Sequence, residues 1–316
     1  RRHSRGRDRA AISHHYDVSN DFYRLVLGPS LVYSCAVWER PDVGLEAAQA
    51  AKLELVCQKL ALEPGMRLLD VGCGWGSMVL HAARHHGVSA VGITLSSEQA
   101  ELARQRVKEA GVDDLVDIRI QDYRDVDDGP FDAISSIGMF EHVGRKRMEE
   151  YTHTLLGLLR PEGRLLNHAI ARPGYPQGES RLGRSRALAR RLSTAVGSDR
   201  TSRIDSDLMK RYVFPDGELH EVGVVVSMLQ ETGFEVRHLE SLREHYALTL
   251  REWVANLERN WDVAVDEVGE GRARVWRLYM AASAVNFALG GIQVHQVLAV
   301  KPGTAGSSGL PLRLDF

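Results

Sequence analysis

The chain has 316 residues, 44% hydrophobic and 26% charged, enough to bury one large core with elaborations. Its formal net charge of -2 argues against a surface built as a whole for polyanions, so nucleic acid is not expected as a partner. Three cysteines, Cys35, Cys57 and Cys73, form an odd set without the spacing of a metal motif; they fit a reducing cytoplasm better than a disulfide framework, and no metal is expected.

No run of about 18 uninterrupted apolar residues occurs, and the nearest approach, residues 25–37, is broken by Gly28-Pro29, so no membrane span is expected. The chain opens on Arg1-Arg2 rather than Met, and further residues are expected upstream. Residues 1–11, with five arginines, read as a basic flexible arm. Residues 12–63 read as a mostly helical N-terminal cap, in which residues 45–60 place apolar side chains at three- and four-residue spacing before Pro64-Gly65 stops the pattern. A short apolar run at 67–71 then leads into Gly72-Cys73-Gly74-Trp75-Gly76 and a helix over 77–86. Strands at 89–93, 116–121, 132–137 and 164–170 alternate with helical segments such as 97–110, which predicts a parallel sheet. Residues 173–232 read as an insertion that carries seven arginines between Arg181 and Arg203 and turns helical from 218. A helix at 250–257, closing antiparallel strands at 234–239 and 292–300, and a tail at 303–316 complete the reading, with the main domain over 64–302. The fold class expected is α/β and Rossmann-like: a mostly parallel seven-stranded sheet with a helical cap and a helical insertion before the last strands.

A strand ending in Asp70 and followed by glycines at 72, 74 and 76 lets backbone approach a nucleoside closely, at the carboxyl end of a parallel strand where such folds bind ligands. Glycine turns of this kind also arise for packing alone. The spacing is not that of a dinucleotide loop, and Thr94, not an acidic residue, ends the second strand, which disfavours nicotinamide.

The motifs HYDVSNDFY (15–23), YSCAVW (33–38), LLDVGCGWG (68–76), GITLSSEQ (92–99), QDYRD (121–125), GMFEHVG (138–144) and YVFPDG (212–217), in order and sensibly spaced, together resemble the cyclopropane fatty acid synthase family, which includes the mycolic acid methyltransferases. The resemblance implies a class I S-adenosylmethionine-dependent methyltransferase. It implies cofactor contacts from Tyr33, Ser34, Asp70, Gly72, Cys73, Gly74, Gly76, Thr94, Leu95, Gln99, Asp122 and Tyr123, with Gln99 in place of the acidic ribose ligand and Asp122 open to the adenine amino group. Leu95 and Tyr123 are equally well explained by packing.

The chemistry implied is one-carbon transfer to the double bond of an unsaturated fatty acyl chain. An alkene is a poor nucleophile, so transfer from a sulfonium needs in-line placement and a dry pocket that protects the resulting carbocation. In the family, proton removal is attributed to a bound bicarbonate; the matching positions here are Cys35, Glu141, His168, Ile170 and Tyr246. Aromatic faces at Tyr16, Tyr33 and Phe140 are candidates to stabilise the cation. Glu244, two residues before Tyr246, is either a solvated surface charge or a second base that would divert the product from cyclopropane to exomethylene. The substrate implied is a phospholipid acyl chain reached by peripheral contact of a cytoplasmic enzyme with an anionic membrane, to which the arginine clusters would contribute; acyl carrier protein is the rival carrier, and a homodimer is left open.

Overall fold

The computed structural model describes residues 19–174 and 218–316. Seven strands, β1 (Arg67–Val71), β2 (Ser89–Thr94), β3 (Val116–Ile120), β4 (Phe131–Ile137), β5 (Leu159–Ala171), β6 (Glu235–Ser241) and β7 (Gln293–Val300), form one sheet in the order β3-β2-β1-β4-β5-β7-β6. The pairs among β1 to β5 are parallel, and β7 runs antiparallel to both β5 and β6. Both faces of the central strands are covered, which is why β1 reads as a continuous apolar run rather than an alternating one. Alternation still sorts its side chains: Leu68 faces one core and Leu69 the other.

On the Leu68 side lie α2 (Leu45–Leu60), α3 (Ser77–His86) and α4 (Ser97–Glu109). After the one-turn α5 (Phe140–Val143), α6 (Met148–Leu158) and α7 (Val222–Thr232) cover the Leu69 side. A third core is helical. It joins α1 (Asn20–Leu27), the extended segment that follows it, and α8 (Arg243–Arg259), α9 (Trp261–Val268) and α10 (Glu270–Ala288). Ser19 caps α1 by accepting from Phe22 N at 3.1 Å, and Ser96 caps α4 by accepting from Gln99 N at 3.2 Å.

The structure departs from the sequence reading in two places. Between α1 and α2 the chain is extended rather than helical, because Gly28-Pro29 ends α1 with Gly28 at φ 84° and α2 starts only after Gly44. Residues 243–288 form three helices where one short helix at 250–257 was expected. The buried stripe of α10, Ala273, Trp276, Met280, Ala284 and Phe287, keeps helical spacing, but exposed Leu278 and Val285 on the opposite face blur the polar half of the pattern.

Candidate active site

The glycine loop leaves β1 and crosses the end of β2, where Gly72 N and Cys73 N both donate to Ile93 O at 2.9 Å. Gly72 and Gly74 have φ of 81° and 54°, a region closed to most residues, and a side chain at Gly74 would meet no protein atom within 4 Å. Gly76 serves another purpose. A Cβ there would lie 3.2 Å from Ala103 Cβ, so the third glycine allows α3 to pack closely on α4 and does not line the pocket.

One pocket at the carboxyl ends of β1, β2 and β4 is lined by all the other expected cofactor contacts: Tyr33, Ser34, Asp70, Gly72, Cys73, Gly74, Thr94, Leu95, Gln99, Asp122 and Tyr123. The Thr94 hydroxyl donates to Gln99 Oε1 at 2.9 Å, which leaves the Gln99 amide NH2 as the available donor. Asp122 caps the following turn through Arg124 N at 3.0 Å and holds the Arg124 guanidinium at 2.7 and 2.5 Å, so its carboxylate is shared with an arginine that the sequence reading did not single out.

Asp70 is buried and accepts from Ser135 Oγ at 2.6 Å; burial pushes its carboxyl up to about 6, against the pull of Ser135 and Lys52. Lys52 was missed by sequence reasoning. It lies on the buried face of α2, donates to Ser34 Oγ at 3.2 Å and lines the same pocket; burial lowers its ammonium to about 8, partly offset by Asp70. The available signal was a lysine in register with the apolar stripe of α2, a position that lysine rarely takes unless paired.

The second residue set gathers from three segments. Thr249 Oγ1 accepts from both Ala36 N and Trp38 Nε1 at 3.1 Å, which staples residues 36–38 to α8. Cys35 is thereby buried with its thiol 3.6 Å from Leu242 O, the carbonyl that accepts from Tyr246 N. Cys35, Tyr246, Tyr33 and Ile170 pack in one cluster. Glu141 lies on α5, just past β4, and its Oε1 accepts from Ile170 N at 2.6 Å. Its Oε2 is buried without a hydrogen-bond partner among the described residues, and burial pushes the carboxyl up to about 7.

His168, two residues before Ile170 on β5, is buried. Burial and the nearby Lys52 and Lys59 cations lower its pKa to about 3, so its ring is neutral. Its tautomer follows from its neighbours. Lys59 can only donate, and it donates to Gln296 Oε1 at 2.7 Å while also pairing with Glu240. The Gln296 amide nitrogen therefore faces His168 Nδ1 at 3.2 Å and donates to it. The ring proton is left on Nε2, an atom that is buried with no partner among the described residues. Glu141 Oε2 and His168 Nε2 are thus both buried and unsatisfied among the described residues, an acceptor on one side chain and a donor on the other.

An aromatic wall closes the same region. Ring centroids of Tyr33 lie 5.7 Å from Tyr23, 5.4 Å from Trp253 and 6.1 Å from Trp276, and Tyr246 lies 5.9 Å from Trp253 and 4.6 Å from Phe287. Trp253 comes from α8, of which the sequence reading placed only residues 250–257, and Trp276 and Phe287 come from α10, which it did not place.

For two residues the structure favours the plainer of the alternatives left open, a surface charge for Glu244 and packing for Phe140. Glu244 is 82% exposed and pairs with Arg243 at 2.9 Å, so it does not join Glu141; at the start of α8 it points to solvent while Tyr246 turns inward. Phe140 packs on Tyr151 in the core below the sheet, apart from the wall around Tyr33. Tyr16, the YVFPDG motif and both arginine clusters lie outside the described residues.

A family model described as mycolic acid cyclopropane synthetase matches residues 3–297. A probable fatty acid methyltransferase of Mycobacterium tuberculosis is 48% identical over 311 residues, covering 98% of this chain and 67% of the relative. The cyclopropane-fatty-acyl-phospholipid synthase of Escherichia coli is 36% identical over 284 residues, covering 90% of this chain and 66% of the relative. The chain thus spans about two thirds of the length of these relatives. Among solved structures, the mycolic acid cyclopropane synthase CmaA1 complexed with SAH and CTAB superposes with a TM-score of 0.82 at 34% identity, covering 93% of this chain and 98% of that one. The cyclopropane synthase MmaA2 from Mycobacterium tuberculosis gives the same TM-score at 31% identity, with the same coverage. The chain belongs to the mycolic acid cyclopropane synthetase family.

Proposed function

We propose that this chain transfers a one-carbon unit from S-adenosylmethionine to the double bond of an unsaturated phospholipid acyl chain and forms a cyclopropane. The observation that carries the reading is that Glu141 Oε2 and His168 Nε2 are each buried without a partner among the described residues, in a fold whose cofactor pocket adjoins the aromatic rings around Tyr33.

The glycine loop, Thr94 and Gln99 bind the nucleoside portion of the cofactor, and the wall around Tyr33 excludes water and offers ring faces to a passing carbocation. Bicarbonate fits the polar pair, since its hydroxyl can donate to Glu141 and its oxygens can accept from His168 Nε2–H. Cys35, Tyr246 and the backbone at Ile170 would complete its holding set, and the ion would supply the base that removes the proton. Cysteine is not that base: burial raises the Cys35 thiol well above its ordinary value, so it stays protonated.

Peripheral membrane contact is supported by one helical stripe. Leu278, Val285 and Leu289 share the outer face of α10 and its C-terminus and are more than half exposed, beside Arg274 and Arg277, which pair with Glu270 and Glu258; the apolar stripe is suited to the surface of a lipid bilayer. No described helix is long and apolar enough to cross a membrane.

A methyl-branched product through an exomethylene intermediate is the second reading, favoured by relatives at 48% and 43% identity that carry the name probable fatty acid methyltransferase. The test is incubation with S-adenosylmethionine and vesicles of a mono-unsaturated phospholipid, followed by proton NMR of the released esters. Upfield cyclopropane protons support the first reading, terminal =CH2 protons distinct from the internal vinylic protons of unreacted substrate support the second, and no modified acyl chain defeats both.

A further inference from the structure

Away from this site, the packed faces of α2 and α3 bring three potential ligands together, with a fourth beside two of them. The ligating atoms of Cys57, His81 and His86 all lie within 4.8 Å of one another. Glu54, one turn before Cys57 on α2, places a single oxygen, Oε2, 3.1 Å from both His81 Nε2 and His86 Nε2. Cys57 is fully buried, and the two imidazoles are 14% and 18% exposed, so the cluster sits under the surface and opens toward solvent through Glu54.

We propose that Glu54, Cys57, His81 and His86 form a tetrahedral site for a divalent transition-metal ion of the zinc type. One thiol, two imidazoles and one carboxylate are donors that zinc accepts, and four protein ligands leave no open position, so the site is structural. The distances agree with that chemistry. Bond lengths of about 2.0 Å to nitrogen and oxygen and about 2.3 Å to sulfur put tetrahedral ligand atoms roughly 3.3 to 3.6 Å apart. Both imidazole–carboxylate separations are already at that scale, the Cys57, His81 and His86 atoms lie within 4.8 Å of one another, and the site requires the Glu54 and Cys57 side chains to converge on the same ion. Binding releases the thiol proton to solvent and leaves a thiolate on the metal.

The position gives the ion a purpose. α2 carries Lys52 into the cofactor pocket and Lys59 to the His168 relay, while α3 begins where the glycine loop ends. A metal tying residues 54 and 57 to residues 81 and 86 would lock together the two helices that frame the cofactor.

The test uses the whole chain, stripped with a chelator and titrated with cobalt(II), whose visible spectrum reports tetrahedral geometry and thiolate ligation. The expected result is one equivalent bound, with d–d bands of tetrahedral intensity and a sulfur-to-metal charge-transfer band. Cys57→Ala should remove the charge-transfer band, His86→Ala should weaken binding at least tenfold, and zinc should raise the Tm of the wild type but not of His86→Ala. His86 lies at a helix end and is partly exposed, so that variant is expected to fold, as circular dichroism would verify. Absence of tetrahedral bands in the wild type, or bands that persist unchanged in both variants, overturns the site.

Discussion

Replacing Glu141 with glutamine should stabilise the protein while abolishing turnover, and the size of the gain can be worked out. The carboxyl stands at about 7 in the folded protein against an ordinary 4.5, because burial disfavours its charge more than the bond from Ile170 N favours it. Between those values the folded state holds a proton that the unfolded chain has lost, so stability falls as pH rises through that window and stays reduced above it. A difference of about 2.5 units corresponds to about 3 kcal/mol of destabilisation at pH 8. Glutamine keeps an oxygen to accept from Ile170 N and carries no charge. At pH 8 Glu141→Gln should therefore gain up to about 3 kcal/mol, or roughly 6–12 °C in Tm for a chain of this size; at pH 4, where both side chains are neutral, it should gain nothing. Thermal unfolding of both proteins from pH 4 to 8 measures this. A difference that does not grow with pH, or a wild type more stable at pH 8, would refute the assignment of a strained carboxylate. Loss of lipid methylation with unchanged affinity for S-adenosylhomocysteine is the matching functional result.

Three further outcomes follow from the same geometry. Gly74→Val places a branched side chain at φ 54° in space that no protein atom fills, so calorimetry should detect no binding of S-adenosylhomocysteine to a protein that remains folded. Nitrogen-15 NMR of labelled histidine should find His168 as the Nε2–H tautomer from pH 6 to 8; an Nδ1–H tautomer or an imidazolium would break the chain of argument from Lys59 through Gln296. Leu278→Asp should lower sedimentation with anionic vesicles severalfold and leave activity on detergent-dispersed substrate intact, whereas unchanged sedimentation would remove α10 from the membrane contact.

The parallel sheet was legible because β1, β2 and β4 are short apolar runs ended by glycine or polar turns, and because the loop after Asp70 announces a ligand at the strand ends. What escaped the sequence depends on contacts between distant segments. Trp253 reads as an ordinary residue of a short helix, and Trp276 and Phe287 carry no local signal, until α8 and α10 fold them against Tyr33 and Tyr246. Glu244 and Tyr246 are neighbours in sequence but face opposite ways, since two residues on a helix span about 200°. Gly76 looks like its companions at 72 and 74, and only the approach of Ala103 reveals its packing role. The ligand cluster on α2 and α3 was invisible for the same reason: Glu54 and Cys57 meet His81 and His86 only across a helix–helix contact.

The lysines of α2 explain why so costly an arrangement persists. Burying an ammonium is unfavourable, yet Lys52 and Lys59 both lie on the inner face of one helix, each at 1% exposure or less. Their positive field acts on His168 in two ways. It opposes a third positive charge, which keeps the imidazole neutral, and through Gln296 Lys59 directs the remaining ring proton to Nε2. The same field favours a negative ligand at that proton. Glu141 works in the opposite sense, since a second anion beside it would be repelled if its own carboxylate were fully ionised; with a pKa of about 7 it can share or take up a proton when a monoanion arrives. Two buried lysines, one neutral donor and one protonatable acceptor would suit the small hydroxyl-bearing monoanion proposed above, and bicarbonate has that form.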